Sequence, residues 1–263
     1  MYIVSPANER LKRVKRLINQ KKARSKERAF VVEGLKVVEE AINSGTVAEF
    51  VFASVDEFEE DDQCFPEIQK LCIENDIEFV RVEKKLFDSV VDTQTPQGIA
   101  AVVGSKDFSW DSFFDDANGH ILVLVDVRDP GNLGTLIRTA EASGAHGVVL
   151  AGTCTDMTSP KVVRAASGSL FRVPIVVESD PMMALWNISQ KDILTLATVV
   201  DNGVSYKDLD LNNCAILLGN EANGLTEEVA NTCDEKITIP LAGSAESLNV
   251  AMAGTVLSFA AMK

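Results

Sequence analysis

Histidine is nearly absent from this sequence, with two in 263 residues. His120 opens an apolar strand pattern, and His146 sits in SGAHG between a helix pattern and a strand pattern. Neither lies at the carboxyl end of a strand, where α/β sites form, so a Ser-His-Asp hydrolase or a histidine-ligated metal enzyme has little to be built from. The five cysteines, Cys64, Cys72, Cys154, Cys214 and Cys233, are scattered, odd in number and without a CxxC pair. A disulfide framework and a zinc site are both disfavoured, no metal is expected, and a reducing cytoplasm is the natural compartment. No apolar run reaches the roughly 18–20 residues that span a bilayer. The opening residues MYIVSPANERLKRVKR are basic with no apolar segment behind them, so they do not read as a secretory signal. GxGxxG follows none of the strands and GxxxxGK[ST] is missing, which removes most of the case for nicotinamide cofactors and nucleoside triphosphates.

What is present is a hydrophobic share of 46%, enough for a sizeable core. The net charge of −14 argues at first against a nucleic-acid partner, but its distribution changes that. Glu9–Arg28, ERLKRVKRLINQKKARSKER, holds ten Lys/Arg and two Glu, while the remaining chain carries 15 basic and 37 acidic residues. One basic segment on an acidic body is a localised electrostatic footprint for a nucleic acid, with Arg10, Lys12, Arg13, Lys21, Lys22, Arg24 and Lys26 as candidate contacts. The plainer reading is a solvated amphipathic helix whose Leu11, Val14, Leu17 and Ile18 face a core. The two are compatible.

Periodicity divides the chain into a smaller α/β region over residues 1–104, a polar, acidic stretch with bulky aromatics over 105–119, and an α/β region over 120–263. In the first, strands are expected at Phe30–Val32, Glu49–Ala53, Glu78–Val82 and Gly98–Val103, with helices near Leu35–Ile42, Pro66–Asn75 and Lys84–Val90. The stretch SKDFSWDSFFDDANG reads as a linker or a connecting helix. In the last region, near-continuous apolar strands at Ile121–Asp126, Gly147–Ala151, Val173–Glu178, Ile193–Val200, Ala215–Gly219 and Lys236–Pro240 imply a parallel sheet buried on both faces. Helices are expected between them at Asn132–Ser143, Pro160–Ala166, Pro181–Gln190 and Thr226–Thr232, and after them at Ser247–Met262.

Ligands bind at the carboxyl ends of such strands. The segments there are DVRDPGN, DNG, GNEANGL and IPLAGSAESLN. They are glycine-bounded loops with few polar side chains, suited to an adenine and ribose held by main chain. NEANG alone is a plain turn, with Thr226 capping a helix whose first turn holds Glu227 and Glu228.

Three blocks, in order and spacing, resemble the SpoU (TrmH-like) branch of the SPOUT RNA methyltransferases: DPGNLGTLIRTAEASG (129–144), LLGNEANGL (217–225) and IPLAGSAESLNVAMAGTVLSFA (239–260). KVVRAASGSLFRVPI (161–175) is also similar to that family, although Ala251 and Ala253 stand where relatives often carry serine. FVVEGLKVVEEAI and TQTPQGIAAVV resemble the ribosomal-protein-like substrate-binding domain often fused to it. The resemblance implies a trefoil-knotted parallel-sheet methyltransferase domain preceded by a smaller α/β RNA-binding domain. It further implies S-adenosylmethionine bound in the knot, an obligate homodimer through the C-terminal domain, and methyl transfer to a ribose 2′-hydroxyl. Ribosomal RNA is the leading substrate; transfer RNA, or a non-catalytic RNA-binding protein that kept the fold, are the alternatives.

By that resemblance Arg138, Asn132, Glu221, Ser247 and Asn249 are the catalytic candidates. Thr198, Gly219, Asn220, Glu221, Ile239, Leu241, Ser247 and Leu248 are the cofactor contacts. An arginine is a poor literal base, since its pKa lies above ~12. Arg138 is better suited to hold the adjacent phosphate and stabilise a developing alkoxide. Its plainer role is a helix arginine, exposed or paired with Glu141. Asn132 caps its helix or bonds the ribose or Arg138; Glu221 orients Arg138 or an RNA group; Ser247 binds substrate or caps the last helix. Lys161, Arg164 and Arg172 form a basic neighbourhood able to guide phosphates.

Overall fold

The computed structural model describes residues 2–55, 65–93, 95–106, 108–115 and 119–262. The expected linker is therefore covered only in part, and Cys64 lies outside the described residues. The chain divides into two compact units, one holding residues up to Lys106 together with Thr158–Phe171, the other holding the rest.

In the first unit, β1 (Tyr2–Ile3) is followed by α1 (Glu9–Asn19), α2 (Lys21–Glu27), β2 (Ala29–Glu33), α3 (Leu35–Asn43), β3 (Ala48–Val55), α4 (Pro66–Glu74), β4 (Glu78–Glu83), α5 (Lys84–Val90) and β5 (Ile99–Gly104). The strand order is β1-β4-β3-β5-β2, so β2 is an edge strand. The sheet is mixed, because β5 runs antiparallel to both β2 and β3. Alternate residues of β2 feed two cores: Val31 joins Leu11, Val14, Leu17 and Phe52 on one face, and Phe30 and Val32 join Val38, Ile42 and Ile99 on the other.

The basic segment is two helices rather than one. α1 starts where the Asn8 side chain accepts the Arg10 N–H at 2.9 Å, and it buries Leu11, Val14, Leu17 and Ile18 as their spacing requires. The break falls at Gln20, whose backbone is extended (φ −128°, ψ 109°). Ending a helix inside a packed face leaves carbonyls without partners. Arg24 supplies the donors: its Nη1 reaches the Leu17 carbonyl at 2.7 Å and the Ile18 carbonyl at 3.0 Å.

The second unit contains α6 (Trp110–Phe114), β6 (Ile121–Val125), α7 (Pro130–Ala142) and β7 (Gly147–Ala151). α8 (Pro160–Ala166) follows in the chain but packs in the first unit. Then come β8 (Ile175–Glu178), α9 (Pro181–Ser189), β9 (Leu194–Thr198), β10 (Val204–Ser205), β11 (Cys214–Leu218), α10 (Glu227–Thr232), β12 (Glu235–Thr238) and α11 (Val250–Ala260). All seven strands are parallel, in the order β10-β12-β9-β11-β6-β7-β8. β6, β7 and β11 are buried along their whole length, as unbroken apolar strands in a doubly covered sheet must be.

Of the two readings left for the aromatic stretch, the helix is observed. α6 is capped reciprocally by Ser109 and Ser112, and Phe113 is fully buried against His146 with ring centroids 5.1 Å apart. Removing so large a side chain costs about 3–5 kcal/mol. α11 lies against α7 through Gly254, where a Cβ would sit 2.3 Å from Leu136 Cδ2, and through the Thr139–Thr255 hydroxyl pair at 3.0 Å. It begins at Val250, later than the pattern suggested, because Ser247 and Leu248 are irregular. Among the described residues no helix is long and apolar enough to cross a membrane.

Candidate active site

The carboxyl ends of β6, β9, β11 and β12 carry the site. β11 runs into Gly219 and a five-residue loop closed by Asn220 and Gly224, whose backbones exchange hydrogen bonds of 3.1 and 2.8 Å. The Asn220 side chain holds the loop from within: its Oδ1 accepts from the Ala222 and Asn223 N–H groups, and its Nδ2 donates to the Asp126 carbonyl at 2.9 Å. Gly219 is obligatory because a Cβ there would lie 2.2 Å from the Gly224 carbonyl carbon. Gly224 itself has φ +66°.

Glu221 stands at the tip of this loop and accepts from the Arg128 N–H (3.2 Å), the Asp129 N–H (2.9 Å) and Asn132 Nδ2 (3.1 Å). Partial burial would raise its carboxyl pKa. The donors from Asp129, Asn132, its own N–H and Arg128 together outweigh that and hold it below the usual value. Asn132 in turn accepts from Asn249 Nδ2 at 3.1 Å, and Asn249 Oδ1 takes the Ala251 N–H at 2.9 Å. One chain of hydrogen bonds thus ties the three sequence blocks together: Glu221 to Asn132 to Asn249 to the start of α11.

This network corrects several expectations. Asp129, not Asn132, caps α7, by accepting the Asn132 N–H at 2.9 Å. Both ends of the Asn132 amide are already engaged, with neither on Arg138. Asn249, not Ser247, caps α11. Glu221 holds backbone and Asn132 rather than Arg138. Glu141 pairs with Arg172 (Nη2 to Oε2 3.2 Å) and leaves Arg138 exposed, with no hydrogen bond or ion pair among the described residues. Ser247 is likewise exposed and without a hydrogen-bond partner among them.

Beside the network lies a cavity of about 300 Å³, at the small end of ordinary ligand clefts (~300–1,000 Å³). Thr198, Gly219, Asn220, Glu221, Ile239, Leu241, Ser247 and Leu248 all line it, as do Val200, Leu218 and Val250, which pattern reading did not single out. Val200, just beyond the end of β9, is 58% exposed. Arg138 is not among the lining residues. The backbone strain at Asp126 (φ +55°), whose Oδ1 accepts the Thr153 N–H at 2.6 Å, carried no sequence signal.

Other polar groups have structural duties. His120 is buried, which pushes its pKa down to about 4, and His146 Nε2 contacts the Phe113 carbonyl. Burial pushes the Cys72 and Cys154 thiols up to about 11 and those of Cys214 and Cys233 to about 12, so none is poised as a thiolate. Among the described residues no three metal-ligating side chains come together.

The expected RNA contacts separate into two groups. Arg10 pairs with Glu78 (2.7 Å), Lys12 with Glu9 (2.8 Å), and Arg13 with Glu27 (2.6 Å) and Glu49. Arg24 is only 7% exposed and cannot reach a phosphate. Arg164 pairs with Asp92 at 3.3 Å and Arg172 with Glu141. Lys21, Lys22, Lys26 and Lys161 are exposed and unpaired among the described residues.

Comparison with known proteins agrees with this geometry. Residues 119–259 match the SpoU rRNA Methylase family, and residues 8–101 match the MRM3-like substrate binding domain. The 23S rRNA (guanosine(2553)-2'-O)-methyltransferase RlmP of Bacillus subtilis is 33% identical over 98% of this chain and 97% of its own. The AdoMet-bound rRNA methyltransferase of Sinorhizobium meliloti superposes with a TM-score of 0.88 at 29% identity, covering 99% of this chain and 97% of that one. The SpoU methyltransferase AviRb of Streptomyces viridochromogenes, in complex with AdoMet, gives 0.83 at 27% identity over 97% and 98%. With three loops meeting at one cavity and a family match over more than half its length, the chain belongs to the SpoU rRNA methylase family.

Proposed function

We propose that this chain transfers the methyl group of S-adenosylmethionine to a ribose 2′-hydroxyl of RNA, ribosomal RNA being the substrate that its relatives favour. The observation that carries the reading is the cavity at the ends of β9, β11 and β12, in a chain that aligns almost throughout with AdoMet-bound structures. The cavity fits the group. Ile239, Leu241 and Leu248 offer apolar surface to an adenine, and the Gly219–Gly224 turn, closed so tightly that no side chain fits at Gly219, forms the wall beside them.

When bound, S-adenosylmethionine supplies an electrophilic methyl group. The chain's task is to hold the ribose oxygen in line and to ease loss of its proton. Arg138 and Ser247 are suited to that task, being the candidate residues whose polar groups are still unpaired among the described residues. Arg138 holds the phosphate next to the reacting ribose and stabilises the alkoxide. Asn132, Glu221 and Asn249 are positioning residues that fix the starts of α7 and α11.

A homodimer through this unit, and the family's trefoil knot, belong to the same reading. α11 exposes Met252, Val256 and Phe259 on one stripe beside α7. A second copy packed there would cover it and could complete a site whose Arg138 stands outside the cavity lining. RNA is drawn in by Lys21, Lys22 and Lys26.

Calorimetric titration with S-adenosylmethionine, followed by mapping of ribose methylation in RNA from cells with and without the protein, tests the proposal. Absence of cofactor binding would reduce the chain to an RNA-binding protein; a lost mark in transfer RNA would move the substrate. Met252→Glu with Val256→Glu should give a monomer by light scattering.

A further inference from the structure

β6 does not end as an ordinary strand. Just past Val125 the Asp126 N–H donates to the Ala151 carbonyl at 3.0 Å, and Asp126 then takes a left-handed backbone, with φ +55°. Aspartate and asparagine tolerate that region better than other side chains, though less well than glycine. With this turn the Asp126 carbonyl accepts from Asn220 Nδ2 at 2.9 Å. Asn220 holds Ala222 and Asn223 within its own loop and lines the cavity. Asp126 does not line the cavity, so its effect on a cofactor there passes through Asn220.

The carboxylate serves a different segment. Its Oδ1 accepts the Thr153 N–H at 2.6 Å, and Gly152 leaves it room, since a Cβ there would lie 2.8 Å from the same oxygen. The Thr155 N–H donates to the Val127 carbonyl at 2.9 Å, and Cys154 Sγ to the Leu124 carbonyl at 3.2 Å. Residues 152–157 are thus a strap laced to the end of β6. The strap runs directly into Thr158–Phe171, the segment built into the first unit. There Val163 is buried in one core with Phe30, Val32 and Val103, and Arg164 pairs with Asp92 at 3.3 Å.

We propose that Asp126 is a positioning residue with two separable duties: its left-handed backbone sets the cofactor loop through Asn220, and its carboxylate fixes the strap that leads from the site into the substrate-binding unit. This rests on the proposed methyl-transfer reading and deepens it. One residue thereby serves both the cofactor side and the substrate side of the reaction.

The test uses three variants of the full chain. Calorimetry gives S-adenosylmethionine affinity, and methyl transfer to total RNA from cells lacking the protein gives kcat and the apparent KM for RNA. Asp126→Asn keeps an acceptor and tolerates the turn, so both constants should stay within about twofold of wild type. Asp126→Gly keeps the turn but loses the acceptor; S-adenosylmethionine affinity should stay within about twofold while KM for RNA rises about threefold or more. Asp126→Ala loses both, and should also weaken S-adenosylmethionine binding about fivefold or more. A glycine variant that binds S-adenosylmethionine as weakly as the alanine variant would overturn the backbone duty, and one with unaltered KM would overturn the carboxylate duty. If the alanine variant does not fold, retained cofactor affinity with raised KM in the glycine variant still bears out both duties, and the reverse pattern overturns them. Variants that lower only the melting temperature would reduce Asp126 to a structural residue. A wild-type chain that neither binds S-adenosylmethionine nor methylates RNA would overturn the methyl-transfer reading itself.

Discussion

The loop corner of the second unit and the basic helix pair of the first treat polar side chains in opposite ways. At the corner, Asn132, Glu221 and Asn249 use their hydrogen-bonding capacity on one another and on backbone, and of the candidate residues Arg138 and Ser247 are left over. In the helix pair, carboxylates from α1, α2, β3 and β4 neutralise Arg10, Lys12, Arg13 and Arg16, and the groups left over are lysines. In both regions the paired residues hold the shape and the unpaired ones face outward. Residue type alone does not separate the two classes.

The sharpest test of that contrast is Arg138→Ala. Methyl transfer should fall by roughly 10²-fold or more, the scale of losing one transition-state donor, while cofactor affinity stays within a few-fold. Lysine should restore little, because the planar fork is lost. Turnover close to wild type would put Arg138 among the bystanders.

Gly219→Ala attacks the paired side. The added Cβ collides with backbone, so the loop must open. S-adenosylmethionine affinity should drop by more than about tenfold, equivalent to roughly 1.4 kcal/mol. Calorimetry measures this, and binding at the wild-type constant would mean that the loop does not shape the cavity.

Glu221→Gln keeps the shape and removes the charge. At neutral pH it should weaken cofactor binding by about tenfold, the lower end of the scale of a hydrogen bond to a charged group. Because the folded carboxyl titrates below its ordinary value, its contribution is full above about pH 4.3 and fades as pH falls through the folded value. The difference between wild type and variant in thermal stability should therefore close in acid. A gap that widens on acidification would contradict the assigned hydrogen bonds.

The helix pair gives the last contrast, read in salt dependence and stability rather than in turnover. Lys21→Ala, Lys22→Ala and Lys26→Ala combined should flatten the RNA salt slope by about 2–3 units with the fold intact. Arg24→Ala should instead lower thermal stability, since it strands the Leu17 and Ile18 carbonyls. If Arg24→Ala changed only the salt slope, the division between structural and free cations would fail.

Much of this could be read in the chain by itself. Unbroken apolar strands announced a buried parallel sheet, because only a doubly covered strand can do without a polar face. The spacing of Leu11, Val14, Leu17 and Ile18 gave the buried face of α1, and the glycines around NEANG marked a close backbone approach. The two-residue strands β1 and β10 were too short to leave a period. The break at Gln20 was hidden because its compensating donor is a buried arginine that reads as one more surface charge.

What only the tertiary structure decided is which groups meet. Asp129, Asn132, Glu221 and Asn249 are up to 120 residues apart, and each is an ordinary cap or turn residue within its own segment. Which of them caps, which relays and which stays free depends on distances of about 3 Å set by sheet order. For the same reason the sequence declared α8 a methylase helix, while packing along an open strand edge made it part of the other unit. Local pattern specifies a face to bury; only the assembled sheet determines what buries it.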